Sequence, residues 1–162
     1  MRGLGLILAV LASGPAMAAQ EKTIGDWMVT VEKDRFSSAG EATKTIALRA
    51  YRGDGLAVRC FPNGLSIAIF EGRSGAGRFD EGMIFDVKFR ADEGKIVDTM
   101  AIGLNDKTVE VGDGENIAPL MLNAKEYAFR LGYKSVTIDK VFPAGKGAKQ
   151  AIDTVLKACA KP

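Results

Sequence analysis

Histidine is absent from all 162 residues. That absence excludes serine–histidine and cysteine–histidine nucleophile pairs, histidine zinc sites and a histidine general base. An enzyme built on this chain would have to use carboxylates, lysines or tyrosines. Thiols are almost as scarce. Cys60 and Cys159 are the two cysteines, and their wide separation rules out the Cys-x-x-Cys spacing of a redox motif. No block of basic residues is long enough to track a nucleic-acid backbone, and the formal net charge is only +2. Nucleic acid is therefore not an expected partner. There is no internal repeat and no linker-like stretch.

The one long apolar run stands at the amino terminus. Arg2 precedes "LGLILAVLAS", Gly14-Pro15 break any helix, and Ala16-Met17-Ala18 has the small-x-small pattern of a signal-peptidase site. The run is shorter than the ~20 apolar residues that span a bilayer. The expectation is a signal peptide over 1–18 and a single globular domain over 19–162, with no stable membrane span once the leader is removed. Loss of Arg2 would lower the net charge from +2 to +1. No cysteine adjoins the cleavage site, so a lipid anchor is not expected.

What remains reads mainly as strand. "TIGDWMVTVE" places Trp27, Val29 and Val31 on one face. "TKTIALRAY" does the same with Ile46, Leu48 and Ala50, and "GLAVRCF" with Leu56, Val58 and Cys60. Pro62-Asn63-Gly64 is a hairpin turn, because Asn and Gly tolerate the positive φ of tight turns, and Leu65, Ile67 and Ile69 resume the alternation. "GRSGAGRFDEG" is glycine-rich and unpatterned, a loop. Met83, Phe85, Val87 and Phe89 then alternate, "ADEG" turns the chain, and "KIVDTMAIGL", "KTVEV" and "KSVTIDKVF" are further strands. Two stretches change period. Ile117, Leu120, Met121, Ala124, Ala128 and Leu131 lie at helical spacing, with Asn116 as cap, Pro119 in the first turn and Gly132 as stop. "GKGAKQAIDTVLKAC" is a closing helix with Ala148, Ile152, Val155 and Cys159 on one stripe. The fold class predicted is α+β: a mostly antiparallel sheet or sandwich with two helices in the last third.

Two cysteines in an exported chain are most simply a pair. Cys60 falls on the inward face of its strand and Cys159 on the inward stripe of the last helix. A bridge would close a loop of roughly 100 residues, for which the chain-entropy model gives ~4.7 kcal/mol. The competing reading, a reactive thiol, lacks a base.

Other candidate sites are weaker. In "GRSGAG", Gly72 and Ser74 fit the G-x-S-x-G elbow, but Ala76 replaces its last glycine and no histidine activates Ser74. Arg73, Ser74 and Arg78 are candidates for an anion or partner contact. Asp113, Glu115, Asp92 and Glu93 lack the ligand periodicity of a calcium loop and read as turn residues, with Glu115 suited to a helix start. Tyr127 and Phe129 fall off the helical stripe, either widening the buried face or offering an aromatic surface. Lys134, Lys140, Lys146 and Lys149 read as solvated, with an anionic envelope polymer as the alternative. No metal site and no cofactor is expected.

Two short patterns carry a family resemblance. The strand Val58-Arg59-Cys60, the later step Phe89-Arg90-Ala91-Asp92, and a final helix ending in Ala158-Cys159 are similar in order to periplasmic accessory proteins associated with type VI secretion. "IGDWMV" resembles the invasion-associated locus B proteins, which place Gly-Asp-Trp just after the leader; their cysteine soon after the tryptophan is replaced here by the Thr30-Val31-Glu32 neighbourhood. The resemblance implies a non-catalytic envelope protein, periplasmic or secreted, whose partner is another protein or an envelope component. It carries over Cys60 and Cys159 as a disulfide, and no catalytic residue. The working expectation is a monomeric or weakly self-associating binding or accessory protein linked to secretion or host-cell invasion. The alternatives are an inhibitor or chaperone-like partner of an envelope hydrolase, using the 72–82 loop, and an enzyme working with carboxylates or lysine.

Overall fold

The computed structural model describes residues 19–33, 42–72 and 79–160. The proposed leader over 1–18, the polar turn around 34–41 and the candidate contacts Arg73, Ser74 and Arg78 lie outside the described residues.

Among the described residues, ten strands and two helices make up the fold. The strands are β1 (Gln20–Ile24), β2 (Trp27–Lys33), β3 (Ala42–Tyr51), β4 (Asp54–Phe61), β5 (Gly64–Glu71), β6 (Ile84–Ala91), β7 (Val97–Asn105), β8 (Thr108–Val111), β9 (Glu126–Tyr133) and β10 (Val136–Pro143). Helix α1 (Gly114–Met121) separates β8 from β9, and α2 (Ala148–Cys159) follows β10. All strands join one sheet in the order β1-β2-β3-β4-β5-β8-β7-β6-β9-β10, every pairing antiparallel. This is the α+β class expected from the sequence.

Short turns set the register. Between β3 and β4 the loop is Arg52-Gly53, both at positive φ (51° and 87°), the geometry that matches the twist of a two-residue hairpin. Between β4 and β5, Pro62-Asn63 makes the predicted turn, with Phe61 paired to Gly64. The alternating residues then face one common core: Leu56 and Val58, Ile67 and Ile69, Phe85, Val87 and Phe89 are all buried.

The sheet curls so that its last strand crosses the inner ends of β3, β4 and β5. Arg49 donates from Nε to the carbonyl of Pro143 (3.4 Å), and Lys140 Nζ reaches Asp54 (2.8 Å) and Glu71 (2.6 Å). Helix α2 covers the inner face of β2, β3 and β4, and α1 lies against β5, β6 and α2.

Three sequence expectations are corrected. The predicted 117–131 helix stops at Met121, and Glu126–Tyr133 is a strand. Asp113, not Asn116, is its cap residue. The segment satisfies two periods at once: Ala124, Ala128 and Leu131 fit a helix, while Tyr127, Phe129 and Leu131 fit a strand. Flanking backbone decides, because β6 and β10 supply ladders on both sides. The second correction is Phe79, placed by sequence in an unpatterned loop but buried edge-to-face on Phe85, with ring centroids 5.4 Å apart. The stretch read as a single strand from Thr23 is also two, split by a turn at Gly25-Asp26.

Candidate functional site

The chemistry-bearing residues serve mainly to hold the carboxyl-terminal segment. Cys60 on β4 and Cys159 in the last turn of α2 form a disulfide, with Cα atoms 5.5 Å apart and a sequence separation of 99. Both stripes predicted to face inward do so, since Ala148, Ile152 and Val155 are buried beside β4. No free cysteine exists among the described residues, so a nucleophilic thiol is not on offer.

The other end of α2 is held by the Gly-Asp-Trp step. Gly25 takes φ +62°, and a Cβ there would stand 2.2 Å from the carbonyl oxygen of Lys146. Only glycine permits that approach. Asp26 exchanges hydrogen bonds with Lys146: its N–H donates to the Lys146 carbonyl, and its Oδ2 accepts the Lys146 N–H, each at 2.9 Å. The same carboxylate pairs with Arg49 at 3.6 Å. Trp27, fully buried, donates from Nε1 to the carbonyl of Ala144 at 2.8 Å. The motif is thus a clasp on residues 144–147.

The Phe89-Arg90-Ala91-Asp92 step divides its labour. Phe89 is core, tilted on Phe129 at 4.9 Å. Asp92, at positive φ (49°), accepts the N–H groups of Lys125 and Glu126 at Oδ1, both at 2.9 Å, and so aims the chain into β9. Tyr127 then points inward and donates to the Met121 carbonyl at 3.0 Å. Burial, aided by the charge of Asp92, pushes its phenol from 10.0 up to about 12. Tyr127 and Phe129 therefore widen the buried core, from a strand and not from a helix.

Lys140 corrects the reading of the late lysines as solvated. Its side chain is 9% exposed and bridges two carboxylates, of which Glu71 is 1% exposed and Asp54 22%. Lys134, Lys146 and Lys149 are exposed as expected. Asp113, Glu115, Asp92 and Glu93 do not converge, and no group of three or more potential metal ligands forms among the described residues.

One arrangement on the outer face went unnoticed in the sequence. Lys88 on β6 stands directly opposite Arg130 on β9, and Arg90 opposite Ala128. Lys88 pairs with Asp98 at 2.6 Å; Arg130 pairs with Asp139 through two bonds, at 2.7 and 2.9 Å. These bonds hold the Asp139 carboxyl below its ordinary range. The outward positions of β6 are visible in its alternation, but the neighbouring strand is not, because the β9 segment also satisfies a helical period.

No protein-family model and no curated protein sequence matches the chain. Among solved structures, invasion associated protein B from Bartonella henselae is similar, with a TM-score of 0.43 and 12% identity over 86% of this chain and 97% of that one.

Proposed function

We propose that this chain is an exported, non-catalytic binding or accessory protein of the bacterial cell envelope, acting in secretion or host-cell invasion. The observation that carries the reading is the Cys60–Cys159 bridge. A disulfide that persists needs an oxidising compartment, and the amino-terminal leader pattern supplies the route to one. Lack of histidine removes the commonest proton carrier at neutral pH. The most enzyme-like grouping of carboxylates and lysine, Asp54, Lys140 and Glu71, is occupied in closing the sheet.

Expression of the full chain in a Gram-negative host, followed by fractionation and mass measurement, tests the reading. The expected product is periplasmic or external, begins at Ala19 and weighs two hydrogens less than its reduced form. A full-length cytoplasmic product with two free thiols would overturn it.

A further inference from the structure

Of the residues in the Phe89–Asp92 step, Arg90 alone has no part in the framework. It faces outward from β6 into a groove of about 240 Å³ that is also lined by Ile96, Ala128, Val141 and the Arg130–Asp139 pair. Its Nε donates to the Asp92 carbonyl at 2.9 Å, which holds the guanidinium in place and leaves both terminal nitrogens clear of that bond. Among the described residues it has no carboxylate partner, unlike its neighbours Lys88 and Arg130. The groove therefore contains three cations, two of them neutralised locally, and one oriented fork without a counter-charge.

Lys88 faces Arg130 across β6 and β9, and each is paired to a carboxylate on the flanking strand, Asp98 and Asp139, so that row of charges is satisfied without Arg90. Ile96 and Val141 are 45% and 48% exposed. Ala128, opposite Arg90, leaves room where a larger side chain would fill the groove.

From this we infer that the outer face of β6, β9 and β10 docks a polypeptide segment carrying an acidic side chain next to an apolar one. The carboxylate meets the Arg90 fork, a bidentate geometry for which guanidinium is suited, and the apolar side chain lies over Ala128 between Ile96 and Val141. The volume suits one or two side chains. An anionic bilayer is a poorer match, because one uncompensated cation gives only about 1 kcal/mol at such a surface. A nucleic-acid backbone needs a track of cations. The inference rests on the proposed binding role and names its surface.

The test uses the bridged, leaderless protein labelled with ¹⁵N and titrated with acetyl-Leu-Glu-Leu-amide, with acetyl-Leu-Gln-Leu-amide as the neutral control. Saturable shifts are expected at the amides of Arg90, Ala128 and Val141 and at Arg90 Nε–H. Affinity for the glutamine peptide should be weaker by up to about fivefold, the worth of one exposed ion pair. Arg90→Gln should abolish the preference while leaving the rest of the spectrum in place, and Arg90→Lys should restore it only in part. Equal affinity for both peptides, shifts away from the groove, unchanged binding by Arg90→Gln, or no shift at millimolar peptide would each overturn the inference. So would phosphatidylglycerol vesicles perturbing these signals when the peptide does not. Export plays no part in this measurement, so its outcome is separable from that of the localisation test.

Discussion

Asp26 and Lys146 hold each other twice, backbone N–H to carbonyl and carboxylate to backbone N–H, across 120 positions of sequence. The pair joins the turn between β1 and β2 to the segment that launches the last helix. With the disulfide at the far end, α2 is anchored at both termini, and the apolar stripe of Ala148, Ile152 and Val155 is kept on the sheet.

The amino-terminal anchor has two sensitive points. Gly25→Ala introduces a Cβ into the Lys146 carbonyl at a left-handed position, and is expected to cost more than the ~1 kcal/mol typical of such strain alone. Trp27→Phe keeps the ring but leaves the Ala144 carbonyl without its donor, costing about 1–3 kcal/mol. Urea unfolding followed by far-UV circular dichroism measures both. A wild-type midpoint for Gly25→Ala would show that the close approach does not exist.

Lys140 is expected to behave as a buried cation between two acids. Lys140→Met removes the ammonium group that bridges Asp54 and Glu71 and should destabilise by about 3–5 kcal/mol, whereas the triple variant with Asp54→Asn and Glu71→Gln should recover most of that loss. Denaturant midpoints of the single and triple variants decide the matter. If the single variant is as stable as wild type, β10 does not cross the sheet there.

Tyr127 predicts a loss of stability in alkali. Its phenol is raised in the folded state, so between pH 10 and about 12 the folded protein holds a proton that the unfolded chain releases. Stability from this group is complete below pH 10 and falls as pH rises through that window. Tyr127→Phe should lose the bond to Met121, about 1 kcal/mol near neutrality, and show a shallower alkaline decline than wild type. Parallel declines would remove Tyr127 as the cause.

Much of this fold was legible because alternation and turn residues agree with the sheet. Leu56, Val58 and Cys60 report their inward face in sequence, and Pro62-Asn63 reports its turn. The exceptions are physical. Tyr127–Leu131 is compatible with either period, so neighbouring strands settled it. Phe79 follows a glycine-rich run and enters the core without any local pattern. A lysine on an alternating strand looks solvated until the carboxylates from β4 and β5 arrive opposite it. Arg90 stands within a short motif, yet its lack of a carboxylate partner among the described residues is a property of three strands together.

Joined sulfurs at Cys60 and Cys159 underlie the proposed compartment, the anchoring of α2 and the absence of thiol chemistry. Alkylation of the exported protein in denaturant without reductant, read by intact mass, tests that most directly. The prediction is no modified cysteine before reduction and two after it. Two alkylated cysteines in the unreduced sample would contradict it.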